Sequence, residues 1–356
     1  MKWLTAGVRR ASTKASTHGI STNKTPLIRN ILLASGSAAI ATLSWKYYQI
    51  NDSQTELSRE YFTKYHISKK YAIDQNHFLV QLTPLKPQRV NLWKEMNSSK
   101  LWSVEVMQPQ IMVVRNYTPL PLKIDDNNSV EVLRDGENAD GTLTFYIKQY
   151  TQGEVARWIN RLPLGHVVEL RGPFVEYEFP ENVDEVKRDR SFLWGNQDNA
   201  NSNFKYQPFD ILFFTGGTGI VTLLQMTLTE SPFRGKIGVY HSCRSLSELG
   251  PLHALLTKLE DNKRIELRIN ESKEKYTSFR SNATALLKSI PPPYPYNGTE
   301  PFKTVNSKLE PVQALVCGPD GFISTVSGPI YDTTQGPIKG ILGSLGWNNA
   351  NVYKLS

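Results

Sequence analysis

The strongest pattern of apolar positions along the chain lies within residues 210–224. The apolar run Ile211–Phe214 predicts a buried strand, and an apolar pattern typical of a helix restarts at Ile220. Between them stand three glycines: Gly216, Gly217 and Gly219. A strand, a glycine turn and a helix start offer free N–H groups and the positive end of a helix dipole, which suits a pyrophosphate. The spacing is not Gly-x-Gly-x-x-Gly, so an ordinary tight turn is the alternative.

Residues 59–179 alternate short apolar stretches with turn-rich ones, which predicts an antiparallel β-barrel. The predicted strands are Phe62–Tyr71, His77–Leu82, Trp102–Met107, Val113–Thr118, Thr142–Tyr150 and Val167–Leu170. Residues 180–209 are polar, charged and rich in Asn, which predicts an exposed insertion or linker. A partner-binding loop is the alternative there.

Residues 210–356 alternate strands with helices, which predicts a parallel sheet of the α/β type. Beyond the glycine turn, the predicted strands are Lys236–His241, Arg264–Ile269, Gln313–Val316 and Val352–Leu355, and the predicted helices are Leu246–Leu259 and Tyr276–Ile290. The expected fold class is therefore β plus α/β, with an antiparallel barrel followed by a parallel-sheet nucleotide domain.

The first 50 residues carry a candidate targeting sequence and a candidate membrane anchor. Residues 1–24 are rich in Ser, Thr, Ala and basic residues, as in a mitochondrial presequence, with a disordered basic tail as the alternative. The sixteen uncharged residues Asn30–Trp45 lie between Arg29 and Lys46. As a helix they span about 24 Å, and Lys46 can snorkel to the interface. We predict one transmembrane helix at 27–48; a buried or interfacial helix is the alternative. The charge asymmetry predicts a matrix-facing N-terminus and a soluble part in the intermembrane space.

The net charge of +8 does not indicate a nucleic-acid-binding protein. Residues 1–50 hold seven Lys/Arg and no Asp or Glu, whereas the remaining residues hold 34 basic and 33 acidic residues. The folded part is thus nearly neutral and has no basic footprint for nucleic acid. The two cysteines, Cys243 and Cys317, give no disulfide framework, and a single bridge between them stays open.

A second chemical motif lies in the predicted barrel, at Arg115-Asn116-Tyr117-Thr118-Pro119. On an extended strand Arg115 and Tyr117 share a face, so a cation and an aromatic ring can address one ligand. The guanidinium can fork onto a pyrophosphate, and the ring can lie on a flat heterocycle. The Thr118 hydroxyl can bind a ring nitrogen and thereby tune its redox behaviour. An ordinary half-buried strand ending at Pro119 is the alternative.

In sequence order the motifs resemble those of the ferredoxin–NADP reductase superfamily, which includes NADH–cytochrome b5 reductase. The order is Arg-x-Tyr-Thr, Gly153, Gly172-Pro173, the glycine turn and Cys317-Gly318-Pro319, over about residues 60–356. The resemblance implies an FAD-dependent NAD(P)H oxidoreductase with FAD held by Arg115, Tyr117, Thr118 and Pro119. It implies that the helix start Gly153-Glu154-Val155-Ala156 holds the flavin pyrophosphate. Ala156 replaces the family's Ser/Thr, so the helix N-terminus alone remains for that contact.

The resemblance also implies a nicotinamide pocket between the glycine turn and the Cys-Gly-Pro loop. Cys317 would lie near the hydride-transferring carbon and is, with Thr118, a candidate catalytic residue; a core cysteine is the alternative. Thr218 would contact ribose or nicotinamide, Arg244 a 2′-phosphate, and Gly172-Pro173 would end the barrel. Thr222 stands where these reductases often have Pro. The remaining expected cofactor contacts are Lys148 and Tyr150.

Four further stretches carry a closer resemblance: 115–122, 153–158, 229–235 and 351–356. They are similar to a family of fungal mitochondrial flavoproteins that are anchored in the inner membrane and support haem attachment to cytochrome c. This resemblance implies haem reduction, with cytochrome c haem lyase and apocytochrome c with its haem as partners. The alternatives are a general reductase of a quinone or small haem protein, and a non-catalytic membrane-tethered assembly or import factor.

Overall fold

The computed structural model describes most of the chain beyond residue 54. The described residues are 42, 55–96, 99–179, 190–194, 206–207, 210–229, 235–272, 288–295, 303–304, 308–331 and 334–355. The chain divides into two compact units, residues 1–53 and 54–356. The predicted presequence and transmembrane helix lie outside the described residues, apart from Thr42, which is helical. Within the described residues, no helix combines the length and apolarity needed to cross a bilayer.

The first half of unit 54–356 is the expected antiparallel sheet. Its elements are β1 (Thr63–Ala72), β2 (His77–Pro84), α1 (Leu92–Met96), β3 (Lys100–Gln108), β4 (Val113–Tyr117), β5 (Leu122–Ile124), β6 (Val130–Val132), β7 (Leu143–Lys148), α2 (Glu154–Arg161) and β8 (Val167–Glu178). Six strands form one sheet in the order β4-β3-β8-β1-β2-β7, and β5 pairs with β6. An isolated bridge links Leu120, just after β4, to Thr144 on β7. The sheet is therefore an open half-barrel, and this bridge brings the segment after β4 against its other end strand, β7, next to the Arg-x-Tyr-Thr motif.

Strand β8 corrects the expectation that Gly172-Pro173 ends the barrel. The predicted strand stops at Leu170, but β8 continues through the Gly-Pro pair to Glu178. The pairing of β3 with β8 shifts register between Ser103 and Glu105, opposite this pair. Such a bulge accommodates a proline, which has no N–H to donate to a ladder.

The second half is the predicted parallel sheet. Its elements are β9 (Tyr206–Gln207), β10 (Asp210–Gly216), α3 (Ile220–Leu228), β11 (Ile237–Cys243), α4 (Pro251–Asp261), β12 (Glu266–Glu271), β13 (Lys303–Thr304), β14 (Pro311–Cys317), α5 (Asp320–Ser327), α6 (Gly340–Ser344) and β15 (Val352–Leu355). Five strands run in the order β12-β11-β10-β14-β15, and all four pairings are parallel. Every residue of the central strand β10 is buried. Thr215 on β10 pairs with Cys317 on β14, so the glycine turn and the Cys-Gly-Pro loop emerge side by side.

The helix predicted at Leu246–Leu259 is wrong in its first turn. A 3₁₀ turn covers Leu246–Leu249, the chain reverses at Gly250 with φ +52°, and α4 begins at Pro251. A Cβ on Gly250 would lie 2.8 Å from Ile73 of the half-barrel. The glycine therefore permits a close approach between the two halves, which a continuous helix would prevent. The predicted helix Tyr276–Ile290 lies outside the described residues except for its last three.

Part of the predicted exposed insertion is buried. Arg190, Phe192 and Leu193 are at most 6% exposed. Arg190 donates from Nε to Asp135 of the half-barrel at 3.1 Å, and its Nη1 donates to the carbonyl oxygen of Leu228 on α3. The Trp194 indole donates to the carbonyl of Val132 at 2.8 Å. Residues 190–194, here called the clasp, thus join the two halves. The apolar triplet Phe192-Leu193-Trp194 is the sequence feature that indicates this burial.

We expect Arg190→Met to lower the free energy of unfolding by about 1–3 kcal/mol, because it leaves the buried Leu228 carbonyl without its donor. Urea unfolding followed by circular dichroism measures the change. Arg89→Met is the matched control, since the Arg89 side chain is 94% exposed. Equal midpoints for the two variants would contradict a clasp that stabilises the junction.

Candidate functional site

A cavity of ≈ 320 Å³ lies where the two halves meet, here called the junction cavity. The half-barrel and the parallel sheet both supply its walls. The lining residues are Arg115, Asn116, Tyr117, Thr118, Tyr146, Ile147, Lys148, Tyr150, Gly153, Glu154, Val155, Ala156, Thr218, Gly219, Val221, Cys317 and Gly318. Two motifs about 200 residues apart in sequence therefore face one space.

Strand β4 presents the cation and the ring. Arg115 is exposed, and its Nη1 donates to the carbonyl of Val114 at 2.8 Å. A guanidinium has five N–H donors, so most of its fork remains available to an anion. Tyr117 packs edge-on against Phe145 with ring centroids 6.3 Å apart. Burial raises the pKa of Tyr117, against the opposing effect of Arg115, so the phenol stays neutral.

The start of α2 supplies backbone donors. Gly153 is its N-cap residue, and no side chain among the described residues caps this end. The first-turn amides of an uncapped helix lack intrahelical partners and favour an anion. Ala156 is 8% exposed and packs in the apolar core of the half-barrel. The residue that replaces the family's Ser/Thr is thus used for packing, and the backbone amides remain.

A buried ionic cluster backs the cavity. Lys148 Nζ lies 5.6 Å from the centroid of the Tyr150 ring and 3.8 Å from Glu248 Oε2, which the second half supplies. His77 Nε2 lies at 3.8 Å from the same carboxylate oxygen. The other ring nitrogen of His77 bonds Asp74 at 2.8 Å. The cluster holds the Lys148 ammonium beside the cavity, whose lining also includes the Arg115 guanidinium and the Glu154 carboxylate.

The cavity wall formed by the second half depends on glycines because two of its loops pack against each other, whereas the sequence suggested that the glycines admit a pyrophosphate. A Cβ on Gly219 would overlap the carbonyl oxygen of Cys317, and one on Gly318, where φ is +156°, would lie 3.0 Å from the Cα of Gly216. These glycines let the two loops pack backbone against backbone. Among the described residues, none comes within 4 Å of a Cβ added to Gly217, where φ is +54°. Of the three turn glycines, Gly217 faces open space.

Cys317 is a free, partly exposed cysteine at the end of β14, and Cys243 is free and buried, so the two are not bridged. Desolvation raises the pKa of the Cys317 thiol to about 12, although a hydrogen bond with Thr222 opposes the shift. Thr222 Oγ1 also donates to the carbonyl of Gly219 at 2.9 Å. The residue at the family's Pro position therefore ties the thiol to the glycine turn.

Tyr150 links the two walls near the cavity mouth. Burial raises its pKa, while the Arg244 charge and a hydrogen bond with Thr218 act in the opposite direction. Arg244 is exposed after β11 and approaches the Tyr150 side of the cavity without lining it.

Most of the expected site residues line the junction cavity. Those that do not are Pro119, Gly216, Gly217, Arg244 and Pro319. Sequence reasoning missed four lining residues: Asn116, Tyr146, Ile147 and Val221. Asn116 lies inside the Arg-x-Tyr-Thr motif, and Val221 follows the glycine turn, so adjacency was an available signal for both. Ile147 directly precedes the expected contact Lys148, so adjacency was available for it too. Tyr146 had no such signal, because its place in the lining depends on tertiary packing.

An antiparallel half-barrel joined to a parallel sheet, with one cavity between Arg-x-Tyr-Thr and Cys-Gly-Pro motifs, defines the class of ferredoxin–NADP reductase-like flavin oxidoreductases. Residues 97–179 match the family model "Oxidoreductase FAD-binding domain". The chain is 49% identical to the cytochrome c mitochondrial import factor CYC2 of Saccharomyces cerevisiae, over 94% of this chain and 93% of the yeast protein.

More distant relatives include NADH-cytochrome b5 reductase 2 of Scheffersomyces stipitis, 26% identical over 68% of this chain and 66% of that protein. Among solved structures, the cytochrome b5 reductase domain of Ulva prolifera nitrate reductase matches 84% of this chain and 99% of its own length. That match has 10% identity and a TM-score of 0.47. By its identity to the yeast protein, the chain belongs to the family of the cytochrome c mitochondrial import factor, a branch of the FAD-binding oxidoreductases.

The cofactors of this class are FAD and NAD(P)H, and the donors of the junction cavity fit them. The guanidinium fork, the uncapped amides of α2 and the neutral phenol of Tyr117 match a pyrophosphate beside a flat heterocycle.

We expect Arg115→Ala to weaken FAD binding about 10- to 100-fold, because a charge-assisted bond of about 1.5–3 kcal/mol is lost. Titration of apoprotein with FAD, followed by flavin fluorescence, measures the affinity, and near-ultraviolet circular dichroism checks the fold. Arg89→Ala is the control. Unchanged affinity in the Arg115 variant would exclude this guanidinium from the FAD site.

We expect the Cys317 thiol to alkylate slowly at pH 8, because its raised pKa keeps the thiolate scarce until the pH nears 12. In a Cys243→Ser background, iodoacetamide labelling read by mass spectrometry should run at least about tenfold slower in folded than in urea-unfolded protein, where the pKa is about 8.5. A labelling profile in folded protein that rises around pH 8 would contradict the desolvated thiol.

Proposed function

We propose that this protein is a mitochondrial FAD-dependent NAD(P)H oxidoreductase that reduces haem iron and so supports haem attachment to cytochrome c by the haem lyase. The observation that supports it most strongly is the junction cavity, where an Arg-x-Tyr-Thr strand and a Cys-Gly-Pro loop line the same space. The identity to the yeast import factor supports the connection with cytochrome c.

In this proposal the half-barrel holds FAD. Arg115 and the α2 amides bind the pyrophosphate, Tyr117 supports the ring system, and the Thr118 hydroxyl offers a hydrogen bond to it. The flavin supplies the chemistry, since it accepts a hydride and returns electrons one at a time. The chain's own residues position the cofactor, and Arg115 and Lys148 supply the two cations of the lining.

The nicotinamide half of the site lies between residues 216–219 and 317–319. At Gly219 and Gly318 these two loops contact each other through backbone atoms, which the absence of a Cβ permits. Cys317 contributes a neutral thiol there, which packs against a ring without adding charge. Arg244, exposed at the end of β11, is the candidate contact for a 2′-phosphate and thus for NADPH preference.

The proposed setting is the inner membrane. Residues 1–24 would direct import, residues 27–48 would form a single anchor, and the FAD and nucleotide domains, proposed at 59–179 and 210–356, would face the intermembrane space. The partners would be the cytochrome c haem lyase and apocytochrome c with its haem. This setting draws on the composition of the N-terminal residues and on the name of the yeast relative.

A second candidate function is a membrane-tethered assembly or import factor that keeps the fold without turnover. Two substitutions favour it: Ala156 lacks the family's hydroxyl, and Thr222 stands at the Pro position. Normal cytochrome c assembly in cells that carry an Arg115 or Gly219 mutant would support this second function.

We expect the purified full-length protein in detergent to show a flavin absorption spectrum that anaerobic NADPH or NADH bleaches. Ferric haem added afterwards should restore the oxidised spectrum while the haem is reduced. A quinone that reoxidises the flavin when haem does not would favour the general reductase. A colourless protein that gains no spectrum from added FAD would exclude both reductase functions.

A further inference from the structure

One buried polar side chain of the second half, that of Gln225, bonds backbone groups of the half-barrel. Gln225 lies on α3, the helix that follows the glycine turn, and is 1% exposed. Its Oε1 accepts a hydrogen bond from the backbone N–H of Trp102 at 2.9 Å. Its Nε2 donates to the carbonyl oxygens of Trp102 at 3.0 Å and Pro119 at 2.9 Å. Both amide hydrogens are thus used, and all three partners are backbone groups of the half-barrel.

One of these partners belongs to the segment that carries the FAD motif, and the other two lie on the strand that pairs with it. Pro119 is the last residue of Arg-x-Tyr-Thr-Pro. Trp102 lies on β3, which pairs with β4 so that Val104 is opposite Tyr117 and Val106 is opposite Arg115. The Gln225 amide therefore joins β3 and the end of the FAD motif to the helix that follows the glycine turn.

The surrounding contacts between the halves are apolar. Leu120 and Leu122 of the half-barrel share a buried cluster with Leu223 and Leu224 of α3. Apolar packing is non-directional, whereas hydrogen bonds from one planar amide to three fixed points specify both distance and rotation. Buried polar groups must also keep their partners, so an alternative placement of α3 is penalised.

We propose that Gln225 is a positioning residue that sets the placement of the nicotinamide wall relative to the flavin wall. The inference rests on the proposed reductase function, because the two walls must bring two rings into contact. Gln225 does not line the junction cavity; it acts through Pro119 and the β3–β4 pair on one side and through α3 and its preceding turn on the other.

The test compares Gln225→Met, which keeps the length of the side chain and removes all three bonds, with Thr227→Val. Thr227 is a matched control on the same helix, since its Oγ1 bonds the carbonyl of Leu223 within α3. In FAD-loaded full-length protein, the rate of flavin bleaching by saturating NAD(P)H should fall about 10- to 100-fold in Gln225→Met. The nucleotide dissociation constant, the bleaching by dithionite and all rates of Thr227→Val should stay near wild type. An unchanged bleaching rate in FAD-loaded Gln225→Met would overturn the proposal and leave Gln225 a packing residue.

Hydrogen exchange gives a readout that does not depend on turnover. The backbone amide of Trp102 should exchange faster in Gln225→Met, while amides within β10 keep their protection. If neither nucleotide bleaches the wild-type flavin, the proposed function fails. The hydrogen exchange at Trp102 then decides alone whether Gln225 fixes the junction, and unchanged protection at Trp102 overturns the proposal for Gln225. If Gln225→Met does not fold, Gln225→Glu replaces it in the bleaching assay, where the same fall in rate is expected. Its carboxylate can still accept from the Trp102 amide but cannot donate to the two carbonyls, so no faster exchange at Trp102 is expected of this variant.

Discussion

The contact between the half-barrel and the parallel sheet is the constraint on which the rest of this structure depends. Neither half forms the candidate cofactor cavity alone. One side is built by β4, β7 and α2, and the other by the glycine turn, the start of α3 and the end of β14. A shared apolar cluster supplies the area of that contact. Three sets of hydrogen bonds add direction to this apolar contact. They are made by the Gln225 amide, by the Tyr146 hydroxyl, which donates to the Glu248 carbonyl at 2.8 Å, and by Arg190 of the clasp.

Both halves also contribute charged groups at the junction. The half-barrel contributes Arg115 and Lys148, while the second half contributes Glu248, which holds Lys148 beside the cavity without filling it. Groups that face the proposed ring contact are neutral, since burial raises the pKa of both Tyr117 and Cys317. Two cations, Arg115 and Lys148, and the neutral Tyr117 and Cys317 side chains thus line one cavity. A few placed charged groups beside neutral ones are typical of a cofactor site.

Local patterns in the sequence were sufficient for the longer strands and for the order of the motifs, but not for the short strands β5, β6, β9 and β13. Short apolar stretches predicted the antiparallel sheet, and the alternation of strands with helices predicted the parallel one, including a strand at Val352–Leu355. The failures share one cause: tertiary contact decided them. The predicted helix is interrupted at Gly250, where Ile73 of the half-barrel comes close. Arg190 is buried because it bonds Leu228 and Asp135. Tyr146 lines the cavity through the packing of β7. The glycines at 219 and 318 were recognised, yet their reason, a contact between two loops, was visible only in three dimensions.

The most direct test of this account is a crystal structure of the full-length protein, or of a complex containing it, with FAD and an oxidised nicotinamide nucleotide bound. The account predicts the isoalloxazine against Tyr117, the flavin pyrophosphate on Arg115 and the start of α2, and a nicotinamide ring stacked on the flavin beside Cys317. A flavin bound elsewhere, or two rings held apart on opposite sides of the glycine turn, would contradict it.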